Sequence, residues 1–335
     1  AEIAGTLVHI ANAKTDTVLN SDIETVREVL VGFKEVPNYR RIQIPVNNPN
    51  ALKSLQNGLI NESKTKVIRI LHYGDSQLEG DRISDYFRNK LQKVYGGQGP
   101  GIVLPNEPAA TSRQSVFVSH SKNMRKHAFY INGSTRTDGK YGIGGSSFTF
   151  DGNYSSFLKW TYDEAKNSIQ PAFSSKKQEQ SYLIFRNGSK SYLSVRQYAR
   201  ITLLYENDEV SQLQLTCDNS VNNYNLKPSD GLGVQQWDLK TDKELRLDFT
   251  NGKFPLIYGV ALDGTSGVAV DNFPMRGSSA IGFNKMSQGL YRKQLEALNV
   301  RAIILQYGIN VIPTVRSNYG YYRTLFTKQL QSIKA

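Results

Sequence analysis

The chain has 335 residues, of which 39% are hydrophobic and 21% charged, a composition typical of a folded protein with a buried core. Its formal net charge is +12, but the lysines and arginines are scattered and match no nucleic-acid-binding signature, so we expect no nucleic-acid partner. No apolar stretch reaches the roughly 18–20 residues that a membrane span needs, which excludes a helical membrane anchor of that kind from the printed sequence.

Cysteine and histidine are scarce, and this limits disulfide and metal chemistry. Cys217 is the only cysteine, so an intrachain disulfide is excluded. Four histidines offer little material for a metal centre, and we predict neither a metal ion nor another cofactor. The chain begins at Ala1 without a methionine, which fits either a removed signal peptide or a truncated chain.

Residues 1–65 are predicted to form a helical prelude that carries no chemistry of its own. A helix-start signal at Ser21 is followed by apolar residues at helical spacing. A second short helix is predicted after the turn at 47–50, with Leu52, Leu55 and Leu59 along one face.

Residues 66–105 are predicted to form the first part of an α/β domain. The apolar, β-branched run at 67–73 is typical of a central strand, and Gly74 ends it. Apolar residues at helical spacing, from Ile83 through Phe87 to Val94, predict the next helix. Ser76 therefore lies in the turn between a buried strand and a helix.

Residues 106–265 have the pattern of an all-β module. Short alternating runs such as 182–185 and 245–249 recur between turn dipeptides such as Asn132-Gly133. This spacing predicts a β-sandwich or jelly roll inserted into the α/β domain. Its aromatic residues fit either sheet packing or stacking on sugars; they are Tyr182, Tyr192, Tyr198, Tyr205 and Trp237.

The α/β pattern resumes over residues 266–335. Strands are predicted at 267–271 and 300–305, with a helix between them and a last helix from about 319 to 333. Gly277 follows the first of these strands, and Gly308-Ile309-Asn310 follows the second. Ligands bind at the carboxyl ends of strands in open α/β sheets, so we expect a site at these turns.

A serine on a sharp strand-to-helix turn is positioned to act as a nucleophile when a base accepts its proton. Backbone N–H groups at the start of the helix then stabilise a developing oxyanion. From the residues alone, a second interpretation stays open: Asp75 and Ser76 cap the helix, Gly277 serves a turn and Asn310 a helix entry.

The three blocks in this order resemble those of the SGNH, or GDSL, hydrolases. Gly74-Asp75-Ser76 matches the first block, Gly277 the second and Gly308-Ile309-Asn310 the third, and the resemblance covers about 66–105 and 266–335. It implies a flavodoxin-like three-layer α/β fold with Ser76 as the nucleophile and Asp75 in support. It also implies an oxyanion hole made by the backbone N–H groups of Ser76 and Gly277 and the side chain of Asn310.

The long insertion is similar to that of periplasmic peptidoglycan O-acetylesterases, which carry a carbohydrate-binding-like jelly roll there. This resemblance implies an esterase that removes O-acyl groups, chiefly acetyl, from a cell-wall glycan or another carbohydrate. It also implies a bacterial protein that is periplasmic or secreted, with an acylated glycan as its partner. The residues that bind the glycan are not identified by the sequence.

The family's fourth motif, Asp-x-x-His, is missing from the printed sequence. The residues three positions before the histidines are Thr6, Arg69, Phe117 and Met124. Only 25 residues follow Asn310 (335 − 310), so we expect a C-terminally incomplete hydrolase domain whose base lies on a C-terminal remainder of the same protein.

Three alternatives stay open. His120 or His127 of the β module supplies the base, although their basic sequence neighbours would lower an imidazole pKa. The chain is a non-catalytic protein that only binds carbohydrate. The same residues transfer the acyl group to a sugar hydroxyl instead of water.

Overall fold

The computed structural model describes residues 42–107, 113–151, 157–163, 168–174, 181–218, 220–241, 244–250, 253–311 and 318–334. The chain divides into two compact units, residues 1–53 and 54–335. Apart from Lys53, the described strands and helices lie in the second unit. The helix predicted from Ser21 lies outside the described residues.

The described strands and helices have the following bounds. The strands are β1 (Val67–Gly74), β2 (Gly101–Val103), β3 (Val116–His120), β4 (Met124–Ala128), β5 (Ser146–Phe150), β6 (Phe157–Asp163), β7 (Ser168–Ser174), β8 (Ser181–Asn187), β9 (Tyr198–Glu206), β10 (Ser211–Cys217), β11 (Ser220–Leu226), β12 (Gly233–Thr241), β13 (Glu244–Phe249), β14 (Leu256–Asp263), β15 (Gly267–Pro274) and β16 (Val300–Gln306). The helices are α1 (Lys53–Asn57), α2 (Arg82–Tyr95), α3 (Leu193–Arg196), α4 (Gln288–Ala297) and α5 (Gly320–Lys334), with a π-helical turn at Gly58–Glu62 and short 3₁₀ helices at Ser76–Leu78 and Phe283–Lys285.

In the part of the chain that the structure describes, β1 is the centre of a parallel sheet with the order β15-β1-β16. Successive side chains of a strand point to opposite faces, and those of β1 are buried on both. Ile68 and Ile70 pack with Phe87 and Leu91 of α2 on one face. Tyr73 joins the larger core on the other face, where its ring stacks on Phe273. The predicted strand, turn and helix at 67–95 are confirmed.

Helix α2 differs from the sequence prediction in the face that it buries. Ile83 and Val94, at the two ends of the predicted apolar stripe, are exposed, whereas Arg88 and Gln92 are buried. The buried side chains are polar because they bond the backbone of the neighbouring edge strand: Arg88 Nε donates to Val270 O at 2.7 Å and Gln92 Nε2 to Val268 O at 3.2 Å. The prediction of an apolar buried stripe is therefore only partly correct.

The antiparallel strands form two larger sheets among the described residues. One has the order β11-β10-β13-β8-β3, and the other has the order β12-β9-β14-β5-β4 with β2 paired to β14. The strands predicted at 182–185 and 245–249 are confirmed within β8 and β13, which pair with each other. Tyr198, Tyr205 and Trp237 are buried between strands, so these three rings pack the core and present no stacking surface.

Arg69 joins the parallel sheet to β14 through buried ion pairs. Its guanidinium donates to Asp271 on β15 at 2.6 Å and to Asp263 at the end of β14. Asp271 also accepts from the backbone N–H of Ile102 on β2 at 2.8 Å. Removing one partner from such a buried set leaves an uncompensated charge, so the network fixes how these strands meet.

Strand β16 lies at the edge of the parallel sheet and pairs with β1 among the described residues. All seven of its residues are partly exposed, in contrast to the fully buried β15. The described residues thus combine one parallel and several antiparallel sheets with few helices. A flavodoxin-like order of layers stays a prediction.

No described helix is both long enough and apolar enough to cross a membrane.

Candidate functional site

The three strands of the parallel sheet end together. In the pairing register, Gly74 of β1 lies opposite Pro274 of β15 and Gln306 of β16. Ser76 follows within two residues, Gly277 within three of Pro274 and Asn310 within four of Gln306. The loops that carry the three candidate residues therefore leave the same edge of the sheet.

Ser76 lies on a tight turn that depends on the two residues before it, Gly74 and Asp75. A side chain at Gly74 would come within 2.7 Å of Leu78 and 2.8 Å of the Gln306 carbonyl, so only glycine fits there. Asp75 is buried, and its Oδ1 accepts from the backbone N–H of Gln77 at 2.9 Å, capping the 3₁₀ helix that Ser76 begins. Ser76 itself is exposed. Asp75 thus caps this short 3₁₀ helix and not α2, which begins at Arg82 after Asp81.

The loop after β15 is tied to the Ser76 loop. Met275 N–H donates to Gly74 O at 2.7 Å, and Ser278 N–H closes a turn onto Met275 O at 2.9 Å. Gly277 occupies this turn with φ +75°, a conformation that favours glycine. Arg276 forms a two-bond ion pair with Glu79, with N–O distances of 2.6 and 2.5 Å. Backbone and side chains thus hold the second loop beside the first.

The loop after β16 contacts the second loop in turn. Asn310 Nδ2 donates to Ser278 O at 2.9 Å, and the Asn310 residue is exposed. The Tyr307 hydroxyl donates to Met275 Sδ at 3.3 Å. Burial, and next the charge of Asp75, raise the pKa of Tyr307, so this hydroxyl stays protonated at neutral pH. Direct contacts therefore connect the three loops; the catalytic roles of Ser76, Gly277 and Asn310 stay predictions.

A buried hydrogen-bond network beneath this edge was missed at the level of sequence. The His72 ring contacts Ser84 Oγ at 2.9 Å and Gln306 Oε1 at 3.1 Å. Ser84 Oγ donates to Asn272 Oδ1 at 2.9 Å, and Asn272 Nδ2 donates to Leu78 O at 3.0 Å. The network connects all three strand ends to the turn of Ser76. The only sequence signal was a polar pair, Asp-Asn, inside the otherwise apolar strand β15.

None of the three described histidines forms a hydrogen bond with Ser76. His72 is buried, and burial lowers its pKa. His120 contacts the carbonyl oxygen of its neighbour Ser121 at 2.9 Å, and His127 contacts Thr149 Oγ1 at 3.3 Å. The pKa of His127 is lowered, first by burial and then by Arg136, and not by the basic sequence neighbours from which the lowering was expected.

Among the described residues, no group of three or more His, Cys, Asp or Glu side chains is arranged to hold a metal ion. The chemistry available at the loop edge is that of a hydroxyl, an amide and backbone N–H groups. This set is suited to attack on a carbonyl carbon and to stabilisation of the resulting oxyanion.

Comparisons with known proteins give a likeness of fold. No protein-family model and no curated protein matches the sequence. The solved structure of a peptidoglycan O-acetylesterase aligns with this chain at a TM-score of 0.56 and 17% sequence identity. The alignment covers 85% of this chain and 67% of the esterase chain. The chain thus shares a fold with this esterase. A carbohydrate-binding module of family 29 matches 50% of this chain at a TM-score of 0.26 and 9% identity, too low to support a common fold.

Proposed function

We propose that this protein is a serine esterase that removes O-acyl groups, chiefly acetyl, from a cell-wall glycan or a similar carbohydrate. The observation that carries the proposal is the meeting of three loops at one edge of the parallel sheet, with Ser76 exposed on the central one. The fold shared with a peptidoglycan O-acetylesterase supports the choice of an ester in a carbohydrate.

In this proposal Ser76 Oγ attacks the ester carbonyl carbon and forms a tetrahedral intermediate, whose collapse releases the sugar hydroxyl and leaves an acyl-serine. The backbone N–H groups of Ser76 and Gly277 and the Asn310 amide stabilise the oxyanion. Asn310 is suited to this because its amide has two N–H bonds, and one bond to Ser278 O orients it without using both. Water then cleaves the acyl-serine and restores the enzyme.

The proposed reaction needs a base that accepts the proton of Ser76 and returns it to the sugar oxygen as that oxygen leaves. Both ring nitrogens of His72 already contact Ser84 and Gln306, and the residue is buried beneath the sheet edge. We therefore propose that His72 holds the Ser76 turn in position and does not act as the base. His120 and His127 bond elsewhere in the β-sheets. We therefore assign the base to a histidine outside the described residues. An enzyme of this kind that acts on cell-wall glycan would work in the periplasm or outside the cell.

The test is turnover of p-nitrophenyl acetate by the full-length protein, by its variant Ser76→Ala and by a matched control, Ser189→Ala. Ser189 is also an exposed loop serine, but it lies after β8 in the antiparallel sheets. We expect Ser76→Ala to lose at least about 10³-fold in kcat/KM, as removal of a serine nucleophile does in hydrolases, while Ser189→Ala keeps its rate.

A second arm of the test adds imidazole as a diffusible base. We expect imidazole to raise the rate of residues 1–335 above that of Ser76→Ala in the same residues, whose rate stays at the level of imidazole alone. Acetate release from O-acetylated peptidoglycan, compared with acetylated xylan, then identifies the carbohydrate. Equal rates for the parent protein and Ser76→Ala, with and without imidazole, would disprove the esterase proposal.

A further inference from the structure

A cleft of about 170 Å³ opens on the antiparallel part of the molecule. None of its lining residues belongs to the loops that carry Ser76, Gly277 and Asn310. It is smaller than the roughly 300–1,000 Å³ of pockets that bury drug-sized ligands, and it therefore suits a single ring. Its lining residues come from three separate segments of the chain, and those that bear on the choice of ligand are Arg136, Lys140, Glu206, Asp208, Lys253 and Phe254.

Paired charges fix the polar groups of this cleft. Lys140 Nζ donates to Glu206 at 2.5 Å, and the other Glu206 oxygen accepts from the buried Tyr258 hydroxyl at 2.5 Å. Lys253 pairs with Asp208 at 2.8 Å. Because each side chain is already held by a partner, less conformational entropy is lost when a ligand binds.

Each cation of the cleft keeps bonding capacity after its ion pair is made. Arg136 uses Nε and one Nη on Asp138, so its other Nη has no bond among the described residues. An ammonium group has three N–H donors, and one bond to Glu206 leaves two on Lys140. Lys140 and Lys253 are both partly exposed, so their remaining donors face the solvent side of the cleft.

The balance of charge selects the ligand. Three cations and two carboxylates line the cleft, and Asp138 behind Arg136 supplies a third carboxylate. An anion would meet Glu206 and Asp208, and a cation would meet the guanidinium and the two ammonium groups. A neutral polyhydroxyl compound satisfies both, because each hydroxyl donates to a carboxylate and accepts from a cation.

An apolar wall completes the cleft. Phe254 is half-buried, and its ring packs on Phe150 with centroids 5.5 Å apart, while Leu256 extends the wall. A sugar ring has an apolar face of C–H groups and a rim of hydroxyls, which matches a lining that combines an aromatic ring with paired charges. From these features we propose that the cleft binds one neutral pyranose unit of a glycan chain, independently of any reaction at Ser76.

The experiment is isothermal titration calorimetry on the full chain with oligomers of N-acetylglucosamine. Oligomers of glucosamine and of galacturonic acid are the cationic and anionic comparisons. We expect the neutral oligomer to bind at least tenfold more tightly than either charged oligomer. None of the three probes carries an ester, so the outcome does not depend on esterase activity.

The site is located with Lys140→Met and Lys253→Met, and Lys122→Met is the matched control on an exposed lysine outside the cleft. We expect each cleft variant to bind at least tenfold more weakly, because each removes a charged donor from the cleft. Lys122→Met should keep its affinity. Lys253 is largely exposed, so its variant tests the site even if Lys140→Met fails to fold.

The proposal is overturned if no neutral oligomer binds, if charged and neutral oligomers bind equally, or if both cleft variants keep the affinity of the parent protein.

Discussion

Replacing Asn310 with alanine separates its proposed catalytic contribution from its structural one. Asn310 is exposed, and its one described hydrogen bond runs to Ser278 O at 2.9 Å. The loss of a single neutral bond at an exposed position costs about 0.5–1 kcal/mol of folding free energy. For a chain of this size that corresponds to a fall in Tm of no more than about 2–4 °C.

The expected effect on catalysis is much larger. Removal of one oxyanion donor costs about 10²–10³ in kcat, or roughly 2.7–4 kcal/mol of transition-state stabilisation. Asn310→Asp should be at least as slow as Asn310→Ala, because it places a negative charge beside the developing oxyanion. The assays are kcat for p-nitrophenyl acetate and Tm by calorimetry, with Asn222→Ala on β11 as an exposed control.

Two results would refute this reasoning. A loss in kcat of less than about threefold would remove Asn310 from the oxyanion hole. A fall in Tm well beyond about 4 °C, with kcat reduced in proportion to the folded fraction, would make the residue structural only.

Three further predictions concern stability and the position of the Ser76 turn. Gly74→Ala should lower the free energy of unfolding by about 1–3 kcal/mol and slow ester turnover, because the added Cβ would clash with Leu78 and a backbone carbonyl. Gly289→Ala in α4 is the control: it has open space and should raise the free energy of unfolding by up to about 1 kcal/mol. Urea unfolding measures both. Arg69→Met leaves two buried aspartates without their cation and should lower the free energy of unfolding by about 3–5 kcal/mol in the same assay. A loss below about 1 kcal/mol would contradict the stabilising role of these ion pairs. Burial lowers the pKa of His72, so as the pH falls the imidazole is protonated in the unfolded chain before it is protonated in the folded one. The free energy of unfolding should therefore fall as the pH drops below about 6.5. His72→Gln should flatten that part of the pH profile of stability, and an unchanged slope would contradict this prediction.

The sequence predicts the parts of the site that depend on local pattern. The apolar run at 67–73, the glycine that ends it and the periodic helix after it follow from residues close together in the chain. The same reasoning placed Gly277 and Asn310 after strands, and the parallel register brings those strands to one edge. Strand β11 shows the limit of the method, because its exposed, Asn-rich residues do not alternate.

What the sequence did not predict depends on contacts between distant residues. His72 meets Gln306 across 234 positions, and Ser84 meets Asn272 across 188. Helix α2 buries Arg88 because a backbone carbonyl and carboxylates accept its hydrogen bonds. A rule that assigns only apolar residues to the core does not predict this. The cleft of the antiparallel sheets is likewise assembled from three separate segments.

The most direct test of the central claim is covalent labelling with a fluorophosphonate, followed by mass spectrometry of the proteolysed protein. An activated serine forms a stable phosphonyl adduct, and imidazole in the reaction supplies the base that the described residues do not. We predict one major adduct, on the peptide that contains Ser76, absent from Ser76→Ala and present in Ser189→Ala. Labelling spread over other serines, or equal labelling of Ser76→Ala, would contradict the claim that Ser76 is the nucleophile.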